Sequence, residues 1–151
     1  MDFNELLSEA EASGIPVEER PLKTYDGRIK NNKIYLRQNM TGVQKKCVLA
    51  EELGHHETTT GDIINQSDTA NRKQEARARL WAYDRLAGLY DIVRAYKQGC
   101  HSLYDMADRL DVTEEFLTEA LQCYKSKYGT HTTIGNYVIY FEPSFGVCEL
   151  K

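Results

Sequence analysis

The sequence predicts an α+β fold that is mostly helical, with a short β-hairpin near the N-terminus and a second at the C-terminus. Apolar residues recur at helical spacing through the middle of the 151-residue chain. Short runs rich in β-branched and aromatic residues, bounded by turn residues, lie in residues 28–36 and 137–150. The chain is long enough to bury one core without the help of disulfides.

The first predicted elements are a short helix and a hairpin. Apolar residues within the first seven positions have helical spacing, and Gly14-Ile15-Pro16 ends that helix. Residues 28–30 and 33–36 then have the character of strands on either side of Asn31-Asn32, a pair that favours a tight hairpin turn. The N-terminal sheet is therefore expected to contain at least this hairpin.

The middle of the chain is predicted to be helical and its end to be a hairpin. In the second long helix, Ala76, Leu80, Tyr83 and Ala87 are expected to share one face. Residues 58–68 are polar and rich in threonine, which is typical of a loop. The helices are predicted over residues 41–56, 69–87, 89–97, 102–110 and 113–124, and the last strands over 137–141 and 147–150. We expect a core of residues 1–90, with the helical pair and hairpin of residues 91–151 packed against it as one unit.

The composition disfavours several classes of protein. A net charge of −4 and a pI close to 5.6 argue against general binding of nucleic acid, which favours basic surfaces. No stretch approaches the roughly 20 apolar residues of a membrane span, and the first residues lack the pattern of a signal peptide. The four cysteines include no C-x-x-C pair, as is usual for free thiols in a reducing compartment. We expect a soluble cytoplasmic protein without a membrane partner.

A candidate metal site lies in the first long helix. Zinc peptidases use the pattern H-E-x-x-H, in which two histidines bind zinc and the glutamate transfers protons. Glu51, Glu52 and His55 occupy the three positions, and a carboxylate is also a zinc ligand. Because residues i and i+4 lie on one helical face, Glu51 and His55 are predicted ligands and Glu52 the general base. Glu75 on the next helix is the best candidate for the third ligand.

Small residues, Gly54, Ala76 and Ala78, favour the close helix approach that a site shared between two helices needs. Other interpretations of this stretch stay open. The same string also suits an ordinary helix end, where histidines interact favourably with the helix dipole. A di-iron bundle would need a second Glu-x-x-His helix, and the sequence offers only one in a helical setting. Weaker candidates for the third metal ligand are His56, Asp62 and Asp68.

Two strings in these helices resemble the ImmA/IrrE family of metallopeptidases. Residues 49–55 read L-A-E-E-L-G-H against the family form L-A-H-E-L-G-H, and residues 75–82 read E-A-R-A-R-L-W-A against E-A-x-A-N-x-F-A. The resemblance covers roughly residues 1–90. It implies a zincin-like active-site helix, Zn²⁺ bound by Glu51, His55 and Glu75, and Glu52 as general base. The two departures are Glu51 in place of histidine and Arg79 in place of asparagine.

The exchange at Glu51 bears on the activity that the resemblance implies. Two anionic ligands lower the effective charge of the zinc ion, so its water should be less acidic. We therefore expect a slow or highly specific zinc endopeptidase. Family members often act on a DNA-binding repressor, which makes a phage or mobile-element repressor the expected substrate. The alternative is a non-catalytic module, with or without zinc, that antagonises a repressor by binding alone.

The helical pair near residue 110 has the spacing of a helix-turn-helix, with Ala107, Val112 and Leu117 in place and Asp111 at the turn. Residues 100–124 contain three Asp, three Glu and one Arg, which gives a net charge of −5. Since such a unit repels phosphates, DNA binding is not expected. The acidic surface suits a basic or helical protein partner instead. The pair is expected to pack through Leu103, Met106, Ala107, Leu110, Phe116, Leu117 and Leu121.

Overall fold

The computed structural model describes residues 1–59 and 68–151, and for residues 68–70 it describes the backbone alone. The described chain forms two compact units, Met1–Leu86 and Ala87–Lys151. The first contains α1 (Phe3–Ala12), β1 (Val17–Arg20), β2 (Gly27–Lys30), β3 (Lys33–Arg37), α2 (Gly42–Thr58) and α3 (Asp68–Leu86). The second contains α4 (Leu89–Lys97), α5 (Leu103–Leu110), α6 (Glu114–Tyr128), β4 (His131–Ile134), β5 (Tyr137–Tyr140) and β6 (Gly146–Glu149). The α+β prediction is confirmed, whereas the packing of the two parts as one unit stays a prediction.

The sheet of the first unit has the order β1-β3-β2, so β2 is an edge strand. Strand β2 pairs antiparallel with β3 through the predicted two-residue turn, where Asn31 and Asn32 have φ of 52° and 61°. Asparagine tolerates this left-handed region, which the turn requires. Strand β1 pairs in parallel with the other side of β3. The sequence did not predict β1 as a separate strand. The predicted loop at residues 58–68 lies largely outside the described residues.

Helix α2 begins with a capping box. The Thr41 side chain accepts a hydrogen bond from the Gln44 backbone N–H, and the Gln44 side chain accepts one from the Thr41 N–H. This pairing satisfies donors that the first turn would otherwise leave free, and it fixes where the helix starts. The predicted start at Thr41 is confirmed, and the positions of the site residues along α2 follow from it.

Helices α2 and α3 approach each other very closely at Gly54. A Cβ placed on this glycine would lie 3.0 Å from the Ala78 carbonyl carbon and closer still to its oxygen. The predicted close approach is therefore confirmed for Gly54 and Ala78. The predicted face of α3 is confirmed at Tyr83 and Ala87, which are buried, and wrong at Ala76, which is exposed. The buried positions of the helix run through Ala78, Ala82, Tyr83 and Leu86. Contact with the Gly54 backbone turns the Ala78 side of α3 toward α2.

The second unit joins three helices and an antiparallel sheet of order β4-β5-β6. Asp111 ends α5 in the left-handed conformation, with φ 57° and ψ 50°, at the predicted turn. Four of the predicted core residues are buried, namely Met106, Ala107, Phe116 and Leu117. Leu103 was wrongly placed in the core, since it is 41% exposed at the start of α5. Along the described part of the chain, every helix is too short or too polar to cross a membrane.

Candidate active site

Two side chains on the adjacent helices converge on each other. The Nε2 atom of His55 on α2 lies 3.6 Å from the Oε2 atom of Glu75 on α3. Two donors bonded to one tetrahedral zinc ion at its usual bond lengths stand about 3.4 Å apart. The observed separation is therefore close to that of two ligands of one ion. The close contact at Gly54 makes this possible, because it brings the helix backbones together one residue before His55.

A second carboxylate, that of Glu52, faces the same region from inside the unit. Burial, with smaller contributions from the negative charges of Glu51 and Glu75, raises the pKa of Glu52 from its ordinary value of 4.5 to about 7. A carboxyl group with such a pKa exchanges protons readily near neutral pH. The arrangement thus offers a proton-transfer group beside a pair of potential metal ligands.

Strand β2 holds Glu52 from the opposite side. A Cβ on Gly27 would lie 2.5 Å from the Val48 Cγ1 atom and 3.3 Å from the Glu52 Oε1 atom. A side chain at this position would overlap Val48 and press on Glu52, so glycine fits here. Gly27 therefore sets the distance between the strand and the helix where the candidate general base sits.

An open cleft of about 860 Å³ runs between strand β2 and the two helices. Residues 27–32 of the hairpin form one wall, and Glu52, His55, His56 and Glu75 contribute to the other. Its length along an entire strand suits an extended chain better than a compact small molecule. The cleft is large enough for several residues of a peptide.

A family comparison agrees with this geometry. The family model described as IrrE N-terminal-like domain, Peptidase_M78, matches residues 10–122. The chain belongs to this family. The match confirms the resemblance to ImmA/IrrE metallopeptidases and extends beyond residue 90, the expected limit of the resemblance, into α6. No curated protein matches the chain.

Only some of the predicted site residues line the cleft. His55, Glu52 and Glu75 all line the cleft, whereas Glu51 is half-buried and does not line it. His56, a weaker candidate, lines it as well. Among the residues whose side chains are described, no group of three or more His, Cys, Asp or Glu is arranged to hold a metal ion. The three-ligand set of Glu51, His55 and Glu75 therefore stays a prediction.

Of the remaining positions, the structure describes the side chain of Arg79 but not those of the candidate ligands Asp62 and Asp68. Asp62 lies outside the described residues, and of Asp68 only the backbone is described. Arg79, which stands where the family has asparagine, has its Nε atom 3.9 Å from the Glu75 Oε2 atom. Both side chains are more than half exposed, so this ion pair is weak and leaves Glu75 available to a metal ion.

Sequence reasoning missed the wall of the cleft formed by β2. The Asn31-Asn32 turn and the glycine at position 27 were visible signals of a hairpin with a close backbone contact. What the sequence does not encode locally is that this hairpin lies over Glu52, because that contact joins residues 25 positions apart. The cationic residues of this wall, Arg28 and Lys30, were likewise not singled out.

Proposed function

We propose that this chain is a zinc-dependent endopeptidase of narrow specificity. The observation that carries the proposal is the convergence of His55 and Glu75 from two helices, 3.6 Å apart in a peptide-sized cleft. Membership of a metallopeptidase family supports it independently. Glu52 in the same cleft supplies the proton-transfer group that amide hydrolysis needs.

The residues fit a zinc ion in part. His55 and Glu75 have the right donor atoms and the right separation, and Glu51 is the proposed third ligand because it lies one turn before His55 on α2. Its side chain must turn toward the other two to complete the set. An imidazole and two carboxylates are acceptable zinc ligands, and three protein ligands would leave one position for substrate or water.

Each residue has a distinct task in the proposed reaction. Glu52 accepts a proton from the attacking water and passes it to the nitrogen of the leaving amine. Gly27 leaves room for the Glu52 carboxylate beneath strand β2. When bound, the zinc ion supplies a Lewis acid that acidifies water and polarises a carbonyl group. That effect is weaker with two carboxylates and one histidine as ligands than with one carboxylate and two histidines. Slow turnover is proposed for this reason.

The proposed substrate is a regulatory protein, such as a phage or mobile-element repressor. A narrow specificity fits a slow enzyme that acts on one partner rather than on unfolded protein in general. The acidic surface of the α5–α6 pair, with a net charge of −5 over residues 100–124, suits docking of a basic protein.

A second function is favoured by one observation. Because the described side chains form no three-residue metal group, a module that binds a repressor without cleaving it is the alternative. Such a module would keep the fold and the cleft and lack turnover. The two functions differ in whether the Glu52 carboxylate is required.

Two experiments test the proposal. Metal analysis by mass spectrometry on protein never exposed to chelator should find close to one zinc ion per chain, and a metal-free result would contradict the zinc site. Co-expression with candidate repressors should then give cleavage by the wild type and none by Glu52→Gln. Glu57→Gln, an exposed residue on the same helix, is the matched control and should behave as wild type. If Glu52→Gln still antagonised the repressor while leaving it intact, the binding module would be the better description.

A further inference from the structure

Within residues 1–59 and 68–151, strand β2 has no strand partner on its outer side. The Arg37 backbone N–H donates a 2.8 Å hydrogen bond to the Asp26 carbonyl, so the pairs of Asp26, Arg28 and Lys30 with β3 are the hydrogen-bonded ones. The backbone groups of the alternate residues, Gly27 and Ile29, therefore point to the open edge. Free backbone donors and acceptors of this kind bind an extended chain as an added strand.

The open edge passes directly beside the candidate general base. Gly27 lies against the Glu52 side chain, with 3.3 Å between a Cβ placed on this glycine and the Glu52 Oε1 atom. A peptide added along β2 would therefore carry its backbone past Glu52 in the cleft. Neighbouring residues of that peptide would lie opposite the remainder of β2, at Arg28 to Lys30.

Two cations of β2 lie beside this path. Arg28 and Lys30 are exposed, line the cleft, and lie two residues apart on the same face of the strand. Within the described chain, neither makes an ion pair. The other cations of the sheet are paired: Arg20 and Lys33 with Glu18, and Arg37 with Asp26. The unpaired positive charge of this sheet is therefore concentrated at its open edge.

We propose that the cleft selects an extended peptide segment with acidic side chains at alternate positions. The segment adds to β2 through the backbone groups of Gly27 and Ile29, and its carboxylates pair with Arg28 and Lys30. Side chains two residues apart in an extended chain are about 6.6 Å apart, which matches the spacing of the two cations along β2. This inference rests on the proposed peptidase function, for which it names the substrate class.

Charge favours a peptide over a nucleic acid in this cleft. The opposite wall carries the carboxylates of Glu52 and Glu75, which repel a phosphate backbone. In a peptide added along β2, acidic side chains at alternate positions lie on the Arg28 and Lys30 face of the strand, and neutral side chains at the positions between them face the helices. Single-stranded nucleic acid carries a negative charge at every nucleotide, so its backbone is repelled by these carboxylates along its whole length.

Binding tests the inference without requiring turnover. In the Glu52→Gln background, a fluorescein-labelled octapeptide with Glu at two alternate positions should bind about tenfold more tightly at low salt than the same peptide with Gln. The additional substitutions Arg28→Gln and Lys30→Gln should abolish that difference. The matched control is Lys23→Gln with Arg77→Gln, which removes two exposed cations outside the cleft and should leave the difference intact.

Cleavage of a mixed peptide library by the zinc-loaded wild type separates this inference from the proposed function. Cleavage products enriched in acidic residues near the cut, with the enrichment lost on neutralising Arg28 and Lys30, support both. Cleavage without that preference overturns the acidic-segment site alone. Selective binding of the acidic peptide with no cleavage of any library member overturns the peptidase and leaves the site. A labelled single-stranded oligonucleotide that binds more tightly than the acidic peptide, with the same dependence on the two cations, overturns the choice of a peptide.

Discussion

Gly54 is the position where a single methyl group should have the largest effect on both stability and the site. In an isolated helix, Gly→Ala is favourable by about 1 kcal/mol because alanine loses less backbone entropy. At Gly54, however, the added Cβ would overlap the carbonyl group of Ala78, with 3.0 Å to its carbon atom. This neighbour is backbone inside a helix, so it cannot rotate away as a flexible side chain would.

The two effects can be compared in magnitude. Overpacking in a close contact usually costs about 1–3 kcal/mol, and a rigid backbone neighbour places this case at the upper end. After the helix-propensity gain is subtracted, Gly54→Ala should destabilise the protein by about 2 kcal/mol. With a urea dependence of about 2 kcal/mol per molar, the unfolding midpoint should fall by about 1 M. Zinc affinity should fall as well, because the helices that carry His55 and Glu75 move apart.

Urea unfolding followed by circular dichroism measures the loss of stability in Gly54→Ala, and Gly42→Ala is the control. Gly42 lies in the first turn of the same helix, and a Cβ there meets nothing within 4 Å. This control should be neutral or stabilised by up to about 1 kcal/mol. A Gly54→Ala protein as stable as the Gly42→Ala protein would refute the argument that the helix backbones are in contact at this point.

Further predictions concern the cleft. Glu75→Ala should lower zinc affinity at least about tenfold in a competition titration, whereas Glu51→His, which restores the family pattern, should raise the zinc-dependent rate by about tenfold; an unchanged affinity in the first case or a lower rate in the second would contradict the ligand set. In chelator-treated protein, the folded state retains the Glu52 proton up to a pKa of about 7 and the unfolded state loses it near 4.5. Stability from this group is therefore full below pH 4.5 and lost as the pH rises through 7, so Glu52→Gln should be more stable than wild type by up to about 3 kcal/mol at pH 8 and nearly equal to it at pH 4.5. A pH-independent difference in urea unfolding would contradict the shift. Gly27→Ala should push against Val48, 2.5 Å from the new Cβ, and displace the Glu52 carboxylate. Its kcat should fall by about 10–100-fold with zinc affinity retained, and an unchanged kcat would show that the strand does not position this group.

Much of the helical framework could be predicted because its signals are local. The capping box at Thr41 and Gln44 lies within four residues, and the hairpin turn at Asn31-Asn32 within two. The sequence did not predict β1 and β4 as individual strands. Each has four residues and is defined by its pairing with another strand. For β1 that partner is distant in sequence, because Val17 pairs with Ile34.

The face of α3 that packs against α2 could not be predicted from the spacing of apolar residues in α3 alone. Ala76 and Ala78 are equally small, and the choice between them depends on the Gly54 backbone of another helix. The same limit applies to the cleft. The spacing of Glu52 and His55 indicated the chemistry, but no sequence signal showed that Glu52, rather than its neighbour Glu51, faces the strand.

The two-residue turn of the first hairpin limits how this sequence can change over time. It fixes which residue of β2 lies over Glu52, and side chains in a strand alternate between faces. Inserting one residue at Asn31-Asn32 would shift the pairing by a step and drive the Arg28 side chain into the space that Gly27 leaves open, and deleting one would bring the Asp26 side chain there. Loop length is usually the most freely varied property of a hairpin. Here it should be as constrained in evolution as the reactive groups themselves.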